Sequence, residues 1–438
     1  MKRTYKLVLW LALFCAIVFA PLAIMLLGPL APQREWLREV SVGMGFLGLS
    51  LIGLQFIPMA RFPFLSAVLD MDSLYSIHHT ASLLGFGLAL AHPLLLFIHN
   101  PYTLRLLNVV TAPWRARAAV AAALSLIAIA VTSAWRKQLE ITYEGWHWLH
   151  DALSLLIGAT ALYHILKVDY YTSVLAQRVL WIVLGAVWGL LVLYMRVLRP
   201  WLLLRRSYEV TALTGERGQS WALTLRPVGH EGMSFSPGQF AWLKLWGSPF
   251  GIDYHPFSLT SSAGDSKQIQ FTIKELGDWT SRTGEVQVGQ RVYVDGPYGI
   301  FGPDAYEAPG YVFLAGGIGI APFMSMLRTF ADRGDRRPLM LFYGSPTWDA
   351  VTHREEIDGL QARLDLHVIH VLERPPEGWD GEAGLITADL LDHHLPEVRA
   401  RLPYMICGPL PMIDAVERML HQLGVPSSNI HSERYEMA

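Results

Sequence analysis

Four histidines set in apolar stretches carry the first chemical signal: His78, His92, His150 and His164, with the members of each pair 14 positions apart. A helix turns about 100° per residue, so 14 steps end within roughly 40° of four full turns and both imidazoles share a face. At about 1.5 Å per residue, the members of a pair stand roughly 21 Å apart. Other pairings fail this test: His79 with His92 is roughly 140° out of phase, and His147 with His164 roughly 100°. Two adjacent helices bearing such pairs would offer two bis-imidazole sites, stacked through a hydrocarbon core about 30 Å thick. Imidazole is an axial ligand of haem iron. Metal ligation by these four residues, and electron carriage across a membrane, is the chemistry the pattern offers. A lone intramembrane histidine more simply caps a helix–helix hydrogen bond or lines a proton path. Matching spacing and phase in two pairs favour haem, and leave His79 and His147 to supporting or helix-end roles.

The elements that must position these residues follow from composition. The chain has 438 residues, 52% hydrophobic and 16% charged. Residues 1–206 hold 17 Lys/Arg against 8 Asp/Glu, and residues 207–438 hold 18 against 29. A membrane half followed by an acidic soluble half is the simplest account, and nothing suggests nucleic-acid binding. With one cysteine in each half, Cys15 and Cys407, a disulfide framework is excluded. No Cys-x-x-Cys site or EF-hand loop is present, which leaves zinc, iron–sulfur and calcium without ligands.

Apolar stretches near residues 7–30, 40–58, 74–98, 118–135, 146–167 and 178–198 are each long enough to span a bilayer. The first reads as an uncleaved span rather than a signal peptide, because it runs on to about Leu30 and further spans follow. Ten flanking basic residues on one side against seven on the other predict a multi-pass protein of the plasma (inner) membrane, with N-terminus and soluble half cytoplasmic. His78 and His150 then form the inner site, His92 and His164 the outer. Gly85 lies midway between His78 and His92 on their face, with Gly87 and Gly158 nearby. These glycines allow either close porphyrin approach or ordinary small-residue helix packing.

After Arg206 the texture turns to β-type segments, Tyr208–Leu213, Trp221–Pro227, Gln239–Leu245 and Ile269–Lys274, separated by Gly/Pro turns. Within them lie His255-Pro256-Phe257-Ser258-Leu259-Thr260, Gly277-Asp278-Trp279-Thr280 and Asp295-Gly296-Pro297-Tyr298-Gly299. An aromatic followed by hydroxyl residues can pack on a flavin ring and donate to its polar edge, and amides around Thr280 can hold a pyrophosphate. From Tyr311 an α/β pattern begins. A strand runs into Gly316-Gly317-Ile318-Gly319-Ile320-Ala321-Pro322 and then a helix, a turn where phosphate can approach the helix N-terminus. It is not the Gly-x-Gly-x-x-Gly fingerprint. Later strands at Leu339–Tyr343 and Leu366–Val371 alternate with helices. Met405-Ile406-Cys407-Gly408-Pro409 ends a further strand before a helix from Met412.

Taken together, these motifs make the soluble half resemble the ferredoxin–NADP reductase superfamily, and the whole chain resemble the ferric reductase/NADPH oxidase family. The resemblance implies a six-span α-helical membrane bundle over 1–206 with two haem b. An antiparallel β-barrel FAD domain over 207–305 and an α/β NAD(P)H domain over 306–438 follow. It implies that His255, Pro256, Phe257, Ser258 and Thr260 contact FAD, with Thr280 at the pyrophosphate. Gly316, Gly317, Gly319 and Pro322 would cradle the nicotinamide nucleotide, and Cys407 and Gly408 would border the nicotinamide. Ser258, Cys407 and Tyr435 are the expected catalytic set, Tyr435 resembling a near-terminal aromatic that covers the flavin. Electrons would pass from NADPH or NADH through FAD, inner haem and outer haem to an acceptor across the membrane. Oxygen, yielding superoxide, is the first choice of acceptor and a ferric chelate the second; a non-enzymatic haem transporter or sensor is a third reading. The lipid bilayer and a small-molecule acceptor are the expected partners, with no obligatory protein partner evident. Two departures stand out. Ser345-Pro346-Thr347 replaces an arginine for the NADP 2′-phosphate, leaving Arg354 or Arg374 as substitutes. Leu96 stands where an additional outer histidine would lie, with His99 a partial replacement and Arg34 and Arg38 as outer positive charge.

Overall fold

The computed structural model describes residues 2–28, 34–66 and 68–434. The chain divides into two compact units, Met1–Pro200 and Trp201–Ala438.

Six helices of the first unit are long and apolar enough to cross a membrane: Tyr5–Leu27, Trp36–Met59, Ser73–His99, Trp114–Ala134, Tyr143–Val168 and Leu175–Arg205. Caps define their ends. Asp70 accepts from the Ser73 amide at 2.7 Å to start the third, and Thr142 accepts from Gly145 at 3.2 Å to start the fifth. The second and third spans pack side by side through small residues, and the fourth packs along the fifth. A Cβ on Gly48 would lie 2.7 Å from the Ala89 nitrogen and 2.9 Å from the Gly85 oxygen. Gly85 in turn faces Gly48, Leu51 and Ile52. Of the two roles open to Gly85, helix packing is the one observed, because a methyl there would collide with the second span. Gly87 and Gly158 face open space instead.

In the second unit, strands β1 (Tyr208–Glu216), β2 (Ser220–Pro227), β3 (Phe240–Lys244), β4 (His255–Ser258), β5 (Ile269–Lys274) and β6 (Arg291–Tyr298) pair antiparallel in the order β4-β3-β6-β1-β2-β5. A bridge from Leu259, just beyond β4, to Phe271 in β5 joins the two ends of that order and closes a barrel. Its interior is apolar, with Val210, Leu223, Leu225, Leu243, Ile269, Phe271 and Val292 all fully buried.

A parallel sheet follows: β7 (Tyr311–Gly316), β8 (Leu339–Ser345), β9 (Leu366–Leu372), β10 (Glu382–Ala383), β11 (Tyr404–Cys407) and β12 (Ile430–Glu433), ordered β10-β9-β8-β7-β11-β12. Every residue of β7 is buried, because helices cover both faces. Phe313 and Ala315 pack with Phe323, Leu327 and Phe330 of helix Ala321–Arg333. Val312 and Leu314 pack with Ile413, Val416 and Leu420 of helix Leu410–Gln422, which begins two residues before the expected Met412. The chain runs outward from β7 through β10, then crosses back to β11 on the other side. The reversal lies between β7 and β11, where open α/β sheets leave a crevice at their strand ends.

Candidate redox site

In the membrane unit the inner histidines meet. The His78 and His150 rings lie 6.3 Å apart between centroids, at 54°. A metal–imidazole bond of about 2.0 Å, with nitrogen roughly 1.2 Å from the ring centre, puts two trans imidazoles on one metal about 6.4 Å apart. The observed spacing fits one iron held from both sides. Among the described residues no group of three or more His, Cys, Asp or Glu side chains could hold an ion. Two protein ligands per metal is the geometry that suits a porphyrin, which supplies the other four.

At the outer pair, hydrogen bonds decide the tautomers. His92 Nδ1 lies 3.0 Å from the Ser41 carbonyl, and His164 Nδ1 lies 2.9 Å from the Arg115 carbonyl. A carbonyl only accepts, so each Nδ1 carries the proton and each Nε2 presents its lone pair for ligation. His79 is exposed and turns away. The His147 ring packs near Tyr143 and Trp146, at 6.0 and 6.2 Å. Asp151, next to His150, pairs with Arg196. At the C-terminal end of the third span, His99 pairs with Glu35 at 2.8 Å, and Arg34 stacks on Tyr170 at 3.2 Å, so both are engaged within the protein.

In the barrel, strand alternation puts His255 and Phe257 on one face, where Trp279 covers them at 4.4 and 5.5 Å between ring centroids. Trp246 meets Trp279 edge-on at 5.1 Å. Trp279 is thus the centre of an aromatic platform, and its buried Nε1 has no partner among the described residues. That orphan donor beside stacked rings suits a flavin. Ser258 is buried at the end of β4. Thr260 is 0% exposed; its carbonyl accepts from Arg328 at 2.6 Å and its hydroxyl meets Gln270 and Thr272, each at 3.4 Å. Thr280 Oγ1 accepts from the Leu276 and Gly277 amides, at 2.9 and 3.0 Å. Both threonine hydroxyls are hydrogen-bonded within the protein.

The helix that opens at the glycine turn also docks on the barrel. Ser325 donates to the Ser261 carbonyl at 2.8 Å, and Thr329 accepts from the Ala263 amide at 2.9 Å. Arg328 grips Glu356 through two bonds of 2.6 Å and reaches Gln270 at the same distance. Buried His353, at φ 59°, meets Thr272 at 2.9 Å and Glu356 at 3.5 Å. Burial pushes the Glu356 carboxyl up, but His353 and Arg328 outweigh it and hold it at about 2. A depressed carboxylate stabilises fully above its unfolded value of 4.5, and that contribution fades as pH falls through about 2. Arg328→Ala is expected to cost the soluble half about 2–3 kcal/mol, read as a lower Tm at neutral pH. The deficit relative to wild type should shrink in melts run from pH 4.5 towards pH 2.

At the β7/β11 crevice, glycines let two loops touch backbone to backbone. A Cβ on Gly319 would stand 2.2 Å from the Cys407 oxygen, and one on Gly316 would stand 2.5 Å from Met412 Sδ. A Cβ on Gly408 would lie 3.1 Å from the Gly316 Cα. Gly317 differs: its φ is +53° and it faces open space, beside buried Pro322 at the helix start. Register carries the site onward. Cys407 pairs with Ala315 of β7 and with Glu433 of β12. Glu433 reaches the barrel, since a Cβ on Gly299 would lie 3.7 Å from its Oε1. Across the barrel, Phe240 pairs with both Tyr298 and Ser258. Ser258, Gly299, Glu433 and Cys407 therefore form one line across the two modules. Burial first, then the Glu433 charge, pushes the Cys407 thiol well up. Glu433 and Trp279 are the residues that motif reading missed in their roles. Tyr435 lies outside the described residues.

Three family models match: ferric reductase like transmembrane component over residues 44–161, FAD-binding domain over 226–301 and oxidoreductase NAD-binding domain over 313–418. The chain is a ferric-reductase-type membrane domain fused to FAD- and NAD-binding modules. The reductase component of propane 2-monooxygenase from Mycolicibacterium goodii is 30% identical over 237 residues, 52% of this chain and 66% of that protein. NADH-cytochrome b5 reductase 1 from Kluyveromyces lactis is 30% identical over 176 residues, 39% of this chain and 62% of that protein. The chain thus spans less than two thirds of the length of either. The flavohem-like FAD/NAD binding domain of nitric oxide dioxygenase from Vibrio cholerae O1 biovar El Tor superposes with TM-score 0.47 at 20% identity, covering 52% of this chain and 98% of that one. Three of the four haem-ligand candidates, His78, His92 and His150, fall inside the ferric-reductase-type match, and the aromatic platform lies within the FAD-binding one.

Proposed function

We propose that this ferric-reductase-type chain takes electrons from NAD(P)H and delivers them across a bilayer to a small acceptor. The 6.3 Å spacing of His78 and His150 is the observation that carries the reading, because it suits axial ligation of one haem. His92 and His164 would hold a second haem b through Nε2. The His255–Phe257–Trp279 platform would hold FAD, with Ser258 at its edge. When bound, the flavin accepts a hydride and the haems accept single electrons, which converts two-electron into one-electron chemistry. The chain's own residues set the approach. Gly317 leaves room for the dinucleotide, while Cys407 and Glu433 border the nicotinamide. Glu433 is the ionisable group in that line able to hold or pass a proton. Of the two substitutes for a 2′-phosphate partner, Arg354 is stacked on Trp348 at 4.5 Å and bonded to its carbonyl. Arg374 remains exposed where its amide donates to the Pro346 carbonyl, and is the guanidinium we assign to NADPH.

The flanking charges favour a plasma-membrane protein with its N-terminus and nucleotide modules in the cytoplasm, and hence an acceptor outside. Dioxygen, reduced to superoxide, is the acceptor we propose; two imidazoles on each haem would leave its iron no open position, so that either acceptor would be reduced without binding the iron. The matched membrane family favours a second reading, a ferric chelate. Cytochrome c reduction with and without superoxide dismutase, set against ferric-chelate reduction, separates the two. Dismutase-insensitive iron reduction alone would refute the superoxide assignment. A haem transporter or sensor would show no NADPH-dependent flavin bleaching.

A further inference from the structure

The side chain of Ser41, on the second span, is committed twice to one partner. Its Oγ donates to the His92 carbonyl at 2.7 Å, and the same Oγ lies 3.0 Å from His92 Nδ1. The Ser41 carbonyl also lies 3.0 Å from that nitrogen. Since Nδ1 carries the proton, it donates to both oxygens, and Ser41 holds His92 at three points. The residue is 0% exposed. Gly45, one turn along, lies under the ring, where a Cβ would come 3.1 Å from His92 Cγ. Gly48, a further turn along, sets the helix spacing against Gly85 and Ala89. Residues 41, 45 and 48 therefore form one face of the second span built against the third.

The other histidines are treated differently. His164 Nδ1 meets one acceptor, the Arg115 carbonyl. The Nδ1 atoms of His78 and His150 are buried without a hydrogen-bond partner among the described residues. Hydrogen bonding at Nδ1 fixes the ring and raises the basicity of Nε2 as a ligand. A more basic ligand favours ferric over ferrous iron. The effect is concentrated on one of the two pairs.

We propose that Ser41 is a positioning residue which orients His92 and lowers the reduction potential of the outer haem selectively. The proposal rests on the haem reading above and adds a direction to it. A more reducing outer centre hands an electron more readily to a weak oxidant such as dioxygen.

The test is a spectroelectrochemical titration of the purified full-length protein, wild type against Ser41→Ala. The outer haem is identified as the one missing from His92→Ala protein. Its preference for ferric over ferrous iron should weaken about tenfold in Ser41→Ala, a rise of about 59 mV for a one-electron couple. The other haem should not move. Ser41→Cys keeps the volume but bonds weakly, and should shift the same haem in the same direction by less. It also serves should the alanine variant lose haem. If both variants titrate as wild type, or both haems shift equally, Ser41 does not tune the outer centre, while two low-spin haems in wild type would leave the haem reading standing. Wild-type protein without haem would overturn both.

Discussion

His92→Ala is expected to remove one of two low-spin haems, reduce acceptor turnover to background and leave NADPH-driven flavin reduction unchanged. The reasoning is positional. His92 is held by Ser41 and packed over Gly45, so alanine removes the proposed ligand and those ring contacts but leaves the close approach of Gly48 to Gly85 and Ala89 that sets the helix spacing. The flavin and nucleotide residues belong to the other compact unit. Haem content by pyridine haemochrome, stopped-flow flavin bleaching and acceptor reduction together read the three effects. His78→Leu and His150→Leu should each remove the other haem. Two low-spin haems persisting in those purified proteins would refute the assignment of the inner ligands.

The second large effect is expected at Gly319. A Glu side chain there must start from a Cβ that lies 2.2 Å from the Cys407 oxygen, 2.5 Å from its carbon and 2.8 Å from the Gly408 nitrogen. All three are backbone atoms, so β11 must move. We expect a cost of about 3 kcal/mol, the upper part of the overpacking range, and loss of NADPH-dependent flavin bleaching with both haems retained. Gly317→Ala is the contrast: its methyl meets open space, and only the left-handed backbone is penalised, by about 1–2 kcal/mol. Equal damage in the two variants would show that Gly319 is not the close-packed position.

Much of this was legible in the sequence because the signals are local. Apolar runs of span length define the six helices, and most of the expected β segments are found within a residue or two of their ends, as at Phe240–Lys244, while the first runs three residues past Leu213 to Glu216. What failed to be legible depends on which neighbour a face meets. The phase that groups Gly85 with His78 and His92 is sound, yet phase does not say that the second span lies there. Ser41, Gly45 and Gly48 are spaced for one helix face, and that stripe of small residues was the available signal. Thr260 and Thr280 stand out in the sequence as hydroxyls near a motif, but which protein groups those hydroxyls bond depends on neighbours that the motif does not name. Trp279 was visible only as part of a phosphate-loop motif. Glu433 had no local signal, since it reaches Cys407 only through the parallel pairing of β12 with β11.

That pairing has a chemical consequence for durability. Sulfur attacks, and is attacked by, peroxides and alkylating agents as the thiolate. Cys407 is 2% exposed, and both its burial and the carboxylate in the next strand keep it in the neutral form. Under the superoxide chemistry proposed above, this thiol at the β7/β11 crevice would stay chemically inert, resisting self-inflicted inactivation over many turnovers.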